Sequence, residues 1–391
     1  MNAPFAPEIA ILHDELRGWR HHLHAYPETA FEEVETSRFI VERLKSFGIT
    51  EIHAGIAKTG VVAVIPGRQP GPWVGLRADI DALDISEDND VPYRSCIPGK
   101  MHACGHDGHI TMLLGAAKQL AARHDFAGTV ALIFQPAEEN EGGGRVMVEE
   151  GLFERFPIAS VFGLHNRLDL PEGHFAIKAG PLMAAYDIFE ITLDGLGVHA
   201  GQPHLGHDVV VAAGKLIGAL QTIVSRNVNP LHPAVLSITQ VHAGHTWNVI
   251  PQQAVLRGTV RSFDSEAQDI IQRRIEKVSA DVASAFDLEA QVRYERRYPP
   301  MVNAEAPTRI AIAAAMALVG AERVNLNPAQ TMGAEDFAFM AKQRPGAYIL
   351  LGAGKGKGAP HNARYDFNDN ILTTGVAYWV ELVYQVLGRA D

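Results

Sequence analysis

Apolar positions recur at helical spacing over residues of about 8–24 and 33–47, and Gly48 closes the second run as a helix C-cap. Short, nearly unbroken apolar runs follow: VVAVI at 61–65, WVGLRADI at 73–80, TVALIFQ at 129–135 and SVFGLHN at 160–166. Helical stretches at about 106–123 and 143–151 lie between some of them. Continuous apolar strands separated by helices predict a mainly parallel α/β sheet covered on both faces. Ligands of such sheets gather at the carboxyl ends of the strands. The polar clusters of this half fall there: Asp79 and Asp81 after one run, Glu138 and Glu139 after another, His165 at the end of a third.

The middle of the chain changes character. YDIFEITLDG (186–195) alternates as a strand does, and about 206–226 reads as a helix. AVLSITQVHAG (234–244) and AVLRGTVRSF (254–263) read as strands, about 264–287 as a helix, and LEAQVRYERRY (288–298) as a strand. That order is β-α-β-β-α-β, the ferredoxin-like unit. It predicts an inserted α+β domain over 184–297, with 1–183 and 298–391 forming the other domain. The last part returns to α/β, with a helix at about 305–320, a strand at 347–353 and a helix at about 371–388. GAGKGKGAP at 352–360 reads as a loop and matches neither a dinucleotide fingerprint nor a P-loop.

Composition narrows the function classes. A length of 391 residues suits one or two domains, and 47% apolar with 20% charged residues is ordinary for a globular chain with a sizeable core. The net charge of −11 is a poor match for nucleic acid or an anionic membrane. The start, MNAPFAPEIAILHDELRGWR, lacks a basic segment followed by an apolar one, and the longest apolar run, Ile310 to Ala321, is too short to span a bilayer. The expectation is a thiol-reducing, cytoplasmic protein. Two cysteines, Cys96 and Cys104, make no disulfide framework. Histidine is in excess, with 18 copies, and is both the commonest metal ligand and the usual acid/base group near neutral pH.

The densest chemistry is MHACGHDGH, which packs His102, Cys104, His106 and His109 together. In an extended segment Cys104 and His106 point the same way, as two ligands of one site would. Thiolate, imidazole and carboxylate together suit zinc and other first-row divalent ions. The bland alternative is a histidine-rich loop before a helix. In QPAEENEGGG the adjacent carboxylates of Glu138 and Glu139 repel unless a cation or proton holds one. One could bind an ion while its neighbour takes a proton from water; a solvated acidic loop is the alternative. His165 and His361 each follow an apolar run on what the pattern makes one edge of the sheet. His199, among the glycines of GLGVHAGQPHLGHD, reads as a donor to a developing oxyanion or as part of a helix-entry loop. Asn248 and Arg261 bracket a hairpin, and Arg261 is either a carboxylate fork or a surface arginine.

Taken in order, HHLHAYPETAFEE, LRADIDAL, MHACGHDGH, QPAEE, FGLHN, VHAGQPHLG, WNVIPQQAVLRGTVRSF, GAEDF and APHNARYDFND resemble the hippurate hydrolase and auxin-conjugate hydrolase branch of the aminoacylase-type metallopeptidases. The resemblance runs along nearly the whole chain. It implies a zinc-peptidase-like catalytic domain whose ferredoxin-like insert serves as lid and dimerisation domain. It implies an N-acyl-amino-acid amidohydrolase with two divalent ions (Zn, Mn, Co or Ni) acting on hippurate-like or N-acetyl substrates. Cys104 matches the bridging ligand, and His106, Glu139, His165 and His361 the remaining ligands. Glu138 matches the general base and Asp81 the aspartate that orients a ligand. His199 matches a lid histidine that reaches the partner subunit's site in a homodimer or dimer-based homo-oligomer. Asn248 and Arg261 match lid residues that touch the substrate. One departure is Asp84, where the family usually has proline after Asp81-Ala82-Leu83.

Other readings stay open at this level: a dipeptidase or deacetylase of the same family, a non-catalytic metal- or ligand-binding protein on the same fold, or a thiol hydrolase using Cys96 or Cys104. Chelation and metal reloading separate the first two from the third.

Overall fold

The computed structural model describes residues 6–356 and 358–390. Met1–Phe5, part of the segment read for a leader, Lys357 of the glycine loop, and Asp391 lie outside the described residues. Two compact units are present: Met1–Gly180 with Val302–Ala329 and Asp336–Asp391, and Pro181–Met301 with Gln330–Glu335.

The first unit is built on an eight-stranded sheet. Its strands lie in the order Glu51–Ile56, Gly60–Pro66, Ala127–Gln135, Gln69–Asp79, Ile158–Arg167, Gly346–Gly352, Phe175–Ala176, Val324–Asn325. The four central strands, from Ala127–Gln135 to Gly346–Gly352, are mutually parallel. Their carboxyl ends are level: Asp79 sits opposite Gln135, Arg77 opposite Gly163, and Leu350 opposite His165. The VVAVI run is antiparallel to both neighbours. The reason is local: it is joined to Glu51–Ile56 by a short turn in which Ala57 and Lys58 adopt φ of 50° and 69°, and such turns reverse the chain.

Helices cover this sheet. Leu372–Leu387 is apolar nearly all round and buries Trp379, Tyr378, Val376 and Val383 completely or nearly so, as a central helix must. Each such Leu or Val side chain contributes about 1.5–3 kcal/mol on leaving water. It packs on His106–Arg123, and the two backbones approach closely because glycine stands at the crossing. A Cβ added at Gly115 would lie 2.5 Å from Val376 Cγ2.

The second unit is a four-stranded antiparallel sheet in the order Ala234–Ala243, Gln253–Ser262, Ala185–Asp194, Glu289–Tyr298. Alternate residues of Ala185–Asp194 are buried, the period-2 signature of a sheet covered on one face. Helices Val209–Asn227 and Ser265–Ser284 supply the cover through Ala212, Leu216, Leu220, Ile271 and Ile275. Both helices are capped by aspartate: Asp208 accepts from the N–H groups of Val210 and Val211, and Asp264 from that of Ala267. By length and composition Val209–Asn227 is apolar enough to cross a membrane; its Ala212, Leu216, Leu220 and Ile223 are buried in this core, while Val210 and Val211 are exposed. Gln330–Glu335, read from sequence with the flanking part of the chain, joins this unit because Thr331 exchanges backbone hydrogen bonds with Leu182 and Ala184.

Candidate metal centre

The level carboxyl ends of the parallel strands gather the first unit's reactive side chains. Cys104 precedes helix His106–Arg123, and Gly105 between them has φ of 97°. A Cβ there would meet Asn166 Oδ1 at 2.5 Å, so only glycine lets the chain turn this tightly into the helix. Cys104 takes part in two clusters of ligand-type atoms, one with His106 and His165, the other with Glu139 and His361. His106 also clusters with Glu138 and Glu139. In each cluster the atoms lie within 4.8 Å of one another. His361, after the glycine loop, is fixed by its own N–H, which donates to Ala103 O at 2.8 Å.

The histidines are oriented as ligands are. His106 Nδ1 faces the carbonyl oxygen of Asp81 at 2.9 Å and its carboxylate at 3.2 Å. His165 Nδ1 faces Asn166 O at 2.7 Å. With Nδ1–H donated to a backbone carbonyl, Nε2 keeps its lone pair, the arrangement that metal-bound imidazoles use. His165 Nε2 stands 3.4 Å from Cys104 Sγ, and His106 Nε2 is buried with no hydrogen-bond partner. Glu139 Oε1 lies 2.9 Å from His361 Nε2, yet it too is buried without hydrogen-bond geometry to any partner. Converging acceptors left bare in this way are costly unless a cation fills the space between them. The donor set therefore fits two divalent ions sharing a thiolate.

Protonation follows the same logic. Burial and the nearby Glu139 carboxylate push the Cys104 thiol up. Contacts with Cys104 and Glu139 push His361 up to about 10. Burial opposes charge on His106, but Asp79 and Asp81 outweigh it and hold the imidazole well above its usual range. Burial, reinforced by His109, presses His165 well below its own. Loading cations displaces these protons, so binding is coupled to proton release. A raised thiol pKa is the reverse of what an activated cysteine nucleophile needs, which counts against the thiol-hydrolase reading for Cys104. Cys96 is exposed.

Behind these clusters lies a buried polar layer. His109 spans Asp79 Oδ1 at 2.6 Å and Asn166 Oδ1 at 2.7 Å, and Asn166 Nδ2 donates to the Tyr365 hydroxyl at 2.8 Å. Arg77 donates to Gln135, Asp79 and Asp336 at 2.8–3.1 Å. Burial works against the Asp79 charge, but His106, His109 and Arg77 hold its carboxyl well below the usual range. Asp79 is thus engaged by Arg77 and His109. Asp81 joins two clusters: besides facing His106, its Oδ2 accepts from Glu139 N at 2.9 Å. Glu138 is buried, 8% exposed. His102 is buried with both ring nitrogens unpartnered, and burial pushes it down to about 4. His24 is buried between Asp107 and Glu87, whereas Asp84 is exposed and belongs to none of the clusters found among the described residues.

The remaining sequence-picked residues belong to the second unit. Val198–His199 pairs with Val249–Ile250, and Ala200 N donates to Asn248 O at 2.9 Å, so the loops of His199 and Asn248 form one ribbon. His199 is exposed, and its Nδ1 accepts from Gly201 N at 3.0 Å. The neutral ring then carries its proton on Nε2, ready to donate. Arg261 lies 4.2 Å over the Tyr186 ring and donates to Met332 O and Val260 O. No carboxylate is within ion-pair distance of it among the described residues.

Comparison with known proteins gives consistent matches. The model of peptidase family M20/M25/M40 matches residues 75–385. An N-acetyl-L-cysteine deacetylase of Bacillus subtilis (strain 168) is 45% identical over 345 residues, covering 88% of this chain and 82% of the relative. A hippurate hydrolase of Campylobacter jejuni is 39% identical over 381 residues, covering 97% and 99%. Among solved structures, the Bacillus subtilis YXEP protein, described as a dinuclear metal binding peptidase, superposes with a TM-score of 0.85 at 37% identity, covering 97% of this chain and 99% of that one.

Proposed function

The chain belongs to peptidase family M20/M25/M40, and from that premise we propose that it is a two-metal amidohydrolase. It cleaves the amide bond of N-acyl amino acids to a carboxylic acid and a free amino acid. The observation that carries this reading is the pair of ligand clusters sharing Cys104, with Glu138 beside them. The names of the relatives support acetyl and benzoyl groups as acyl classes.

Cys104, His106, Glu139, His165 and His361 would hold the ions, with Cys104 common to both. Zn, Mn, Co and Ni all suit a mixed thiolate, imidazole and carboxylate set. When bound, the ions supply Lewis-acid polarisation of the scissile carbonyl and acidify the attacking water. Glu138 takes the proton from that water and returns it to the leaving amine. It is buried, so bulk water is largely excluded from the proton's path. Asp81 holds His106 and Glu139 in place. His199, with its proton on Nε2, donates to the oxyanion of a partner subunit's substrate within a homodimer. Asn248 and Arg261 receive the substrate's carboxylate. A thiolate ligand that must stay reduced supports a cytoplasmic setting.

Glu138→Ala tests the reading. Ion content, measured by elemental analysis after chelation and reloading, should match wild type, while turnover of N-acetyl and N-benzoyl amino acids falls about 100- to 10,000-fold, the usual worth of a general base. Retained turnover would remove Glu138 from this role.

A further inference from the structure

The turn that carries Glu138 is anchored by a carboxylate from a distant part of the chain. Glu33 occupies the boundary position before helix Val34–Ser46, yet its side chain caps no N–H of that helix. It is fully buried. Its Oε1 accepts from the backbone N–H of Ala137 at 2.9 Å, across 104 residues, and its Oε2 accepts from the Thr59 hydroxyl at 2.5 Å.

Ala137 needs such an anchor. It is a non-glycine residue with φ of 53°, in the left-handed region that alanine avoids. Its carbonyl is held from the other side by Gly143 N at 2.8 Å. Two residues on, the Glu139 N–H is held by Asp81. Glu138 is therefore flanked by two backbone N–H groups, each fixed by a buried carboxylate: Glu33 before it and Asp81 after it. Asp81 also faces a ligand histidine. Glu33 belongs to none of the ligand clusters found among the described residues, so the Ala137 and Thr59 contacts account for its burial.

We propose that Glu33 is a positioning residue for Glu138, holding Ala137 in its left-handed conformation so that the Glu138 carboxylate points at the reacting water. This rests on Glu138 acting as the base. Displacing a catalytic group by about 1 Å typically costs on the order of 100-fold in rate.

The test compares Glu33→Gln with Glu33→Met in enzyme reloaded with Zn²⁺ or Mn²⁺. Glutamine offers an amide oxygen to the Ala137 N–H and turns its amide N–H toward the Thr59 oxygen. Methionine fills the volume and accepts nothing. Glu33→Met should lower kcat about 10- to 100-fold, with KM within about threefold of wild type and full ion content, and Glu33→Gln should recover most of kcat. Wild-type kcat in Glu33→Met would overturn the proposal. So would equal losses in both variants, or a loss explained by missing ions. Should Glu33→Met fail to fold, Glu33→Asp decides, since its shorter side chain draws the carboxylate away from the Ala137 N–H while keeping the charge. A several-fold fall in kcat at unchanged Tm supports the proposal, and unchanged kcat overturns it. A wild-type enzyme that holds ions but hydrolyses no N-acyl amino acid would instead count against the function itself.

Discussion

A histidine gives a metal only one of its two nitrogens, and the contact made by the other decides which. Asp81 faces His106 Nδ1 with its carbonyl and carboxylate, so Nε2 would be the nitrogen offered to a metal, and it accepts from the Glu139 backbone N–H as well. Asp81→Ala removes no ligand, yet metal affinity should fall about 10- to 100-fold, the usual cost of losing such an orienting partner. Competition against a chromophoric chelator measures it, and unchanged affinity would leave Asp81 without this role. Cys104, His106, Glu138, Glu139, His165, His361 and Asp81 stand out as candidates in the sequence because each sits in a short motif dense in ligand-type side chains. Nothing in the sequence marks Arg77 or Glu33 as a support. Arg77 meets Asp336 across 259 residues, and Glu33 meets Ala137 across 104. Nothing local distinguishes such residues from surface charges until the sheet brings them together.

At the scale of elements, the turn between strand Ala127–Gln135 and helix Gly143–Glu149 is the most constrained piece of backbone near the ligands. A Cβ at Gly143 would sit 1.8 Å from the Pro136 carbonyl oxygen, against backbone that cannot rotate away. Gly143→Ala must therefore move the turn bearing Glu138 and Glu139. It should cost about 1–3 kcal/mol of stability and lower metal affinity and kcat together. Gly18 is the opposite case: it is exposed within helix His13–Ala25, with nothing within 4 Å of its missing Cβ. Gly18→Ala should raise stability by about 1 kcal/mol and leave kcat alone. Chemical denaturation checks both, and a Gly143→Ala enzyme with wild-type stability and affinity would refute the constraint. The central strands and long helices were legible because their apolar periodicity is strong. Glu51–Ile56 was missed because it buries only its last residue and shows no alternation. The two-residue strands Phe175–Ala176 and Val324–Asn325 are too short for any period to register.

For the whole molecule, the strand order of the insert is readable in one chain, but an assembly is not, because residues that serve another subunit resemble ordinary surface. His199 shows the difficulty. It is exposed, lies in the second unit, and presents a donor nitrogen with no acceptor in its own ribbon, whereas the ligand clusters lie in the first unit. If it serves the partner's site, the two inactivating changes Glu138→Ala and His199→Ala should complement each other across subunits. Each homodimer would be inactive: one has no base, the other no donor. In a hybrid dimer purified through two different tags, the subunit with His199→Ala keeps its own Glu138 and receives the intact histidine of its neighbour. One of the two symmetry-related sites is then complete, so the hybrid should show about half the wild-type kcat per dimer. If His199 acted within its own chain, every site in the hybrid would lack either base or donor and activity would stay at the level of the parents. Light scattering on the same preparation separates the remaining case, since an active enzyme that is strictly monomeric rules out donation between subunits.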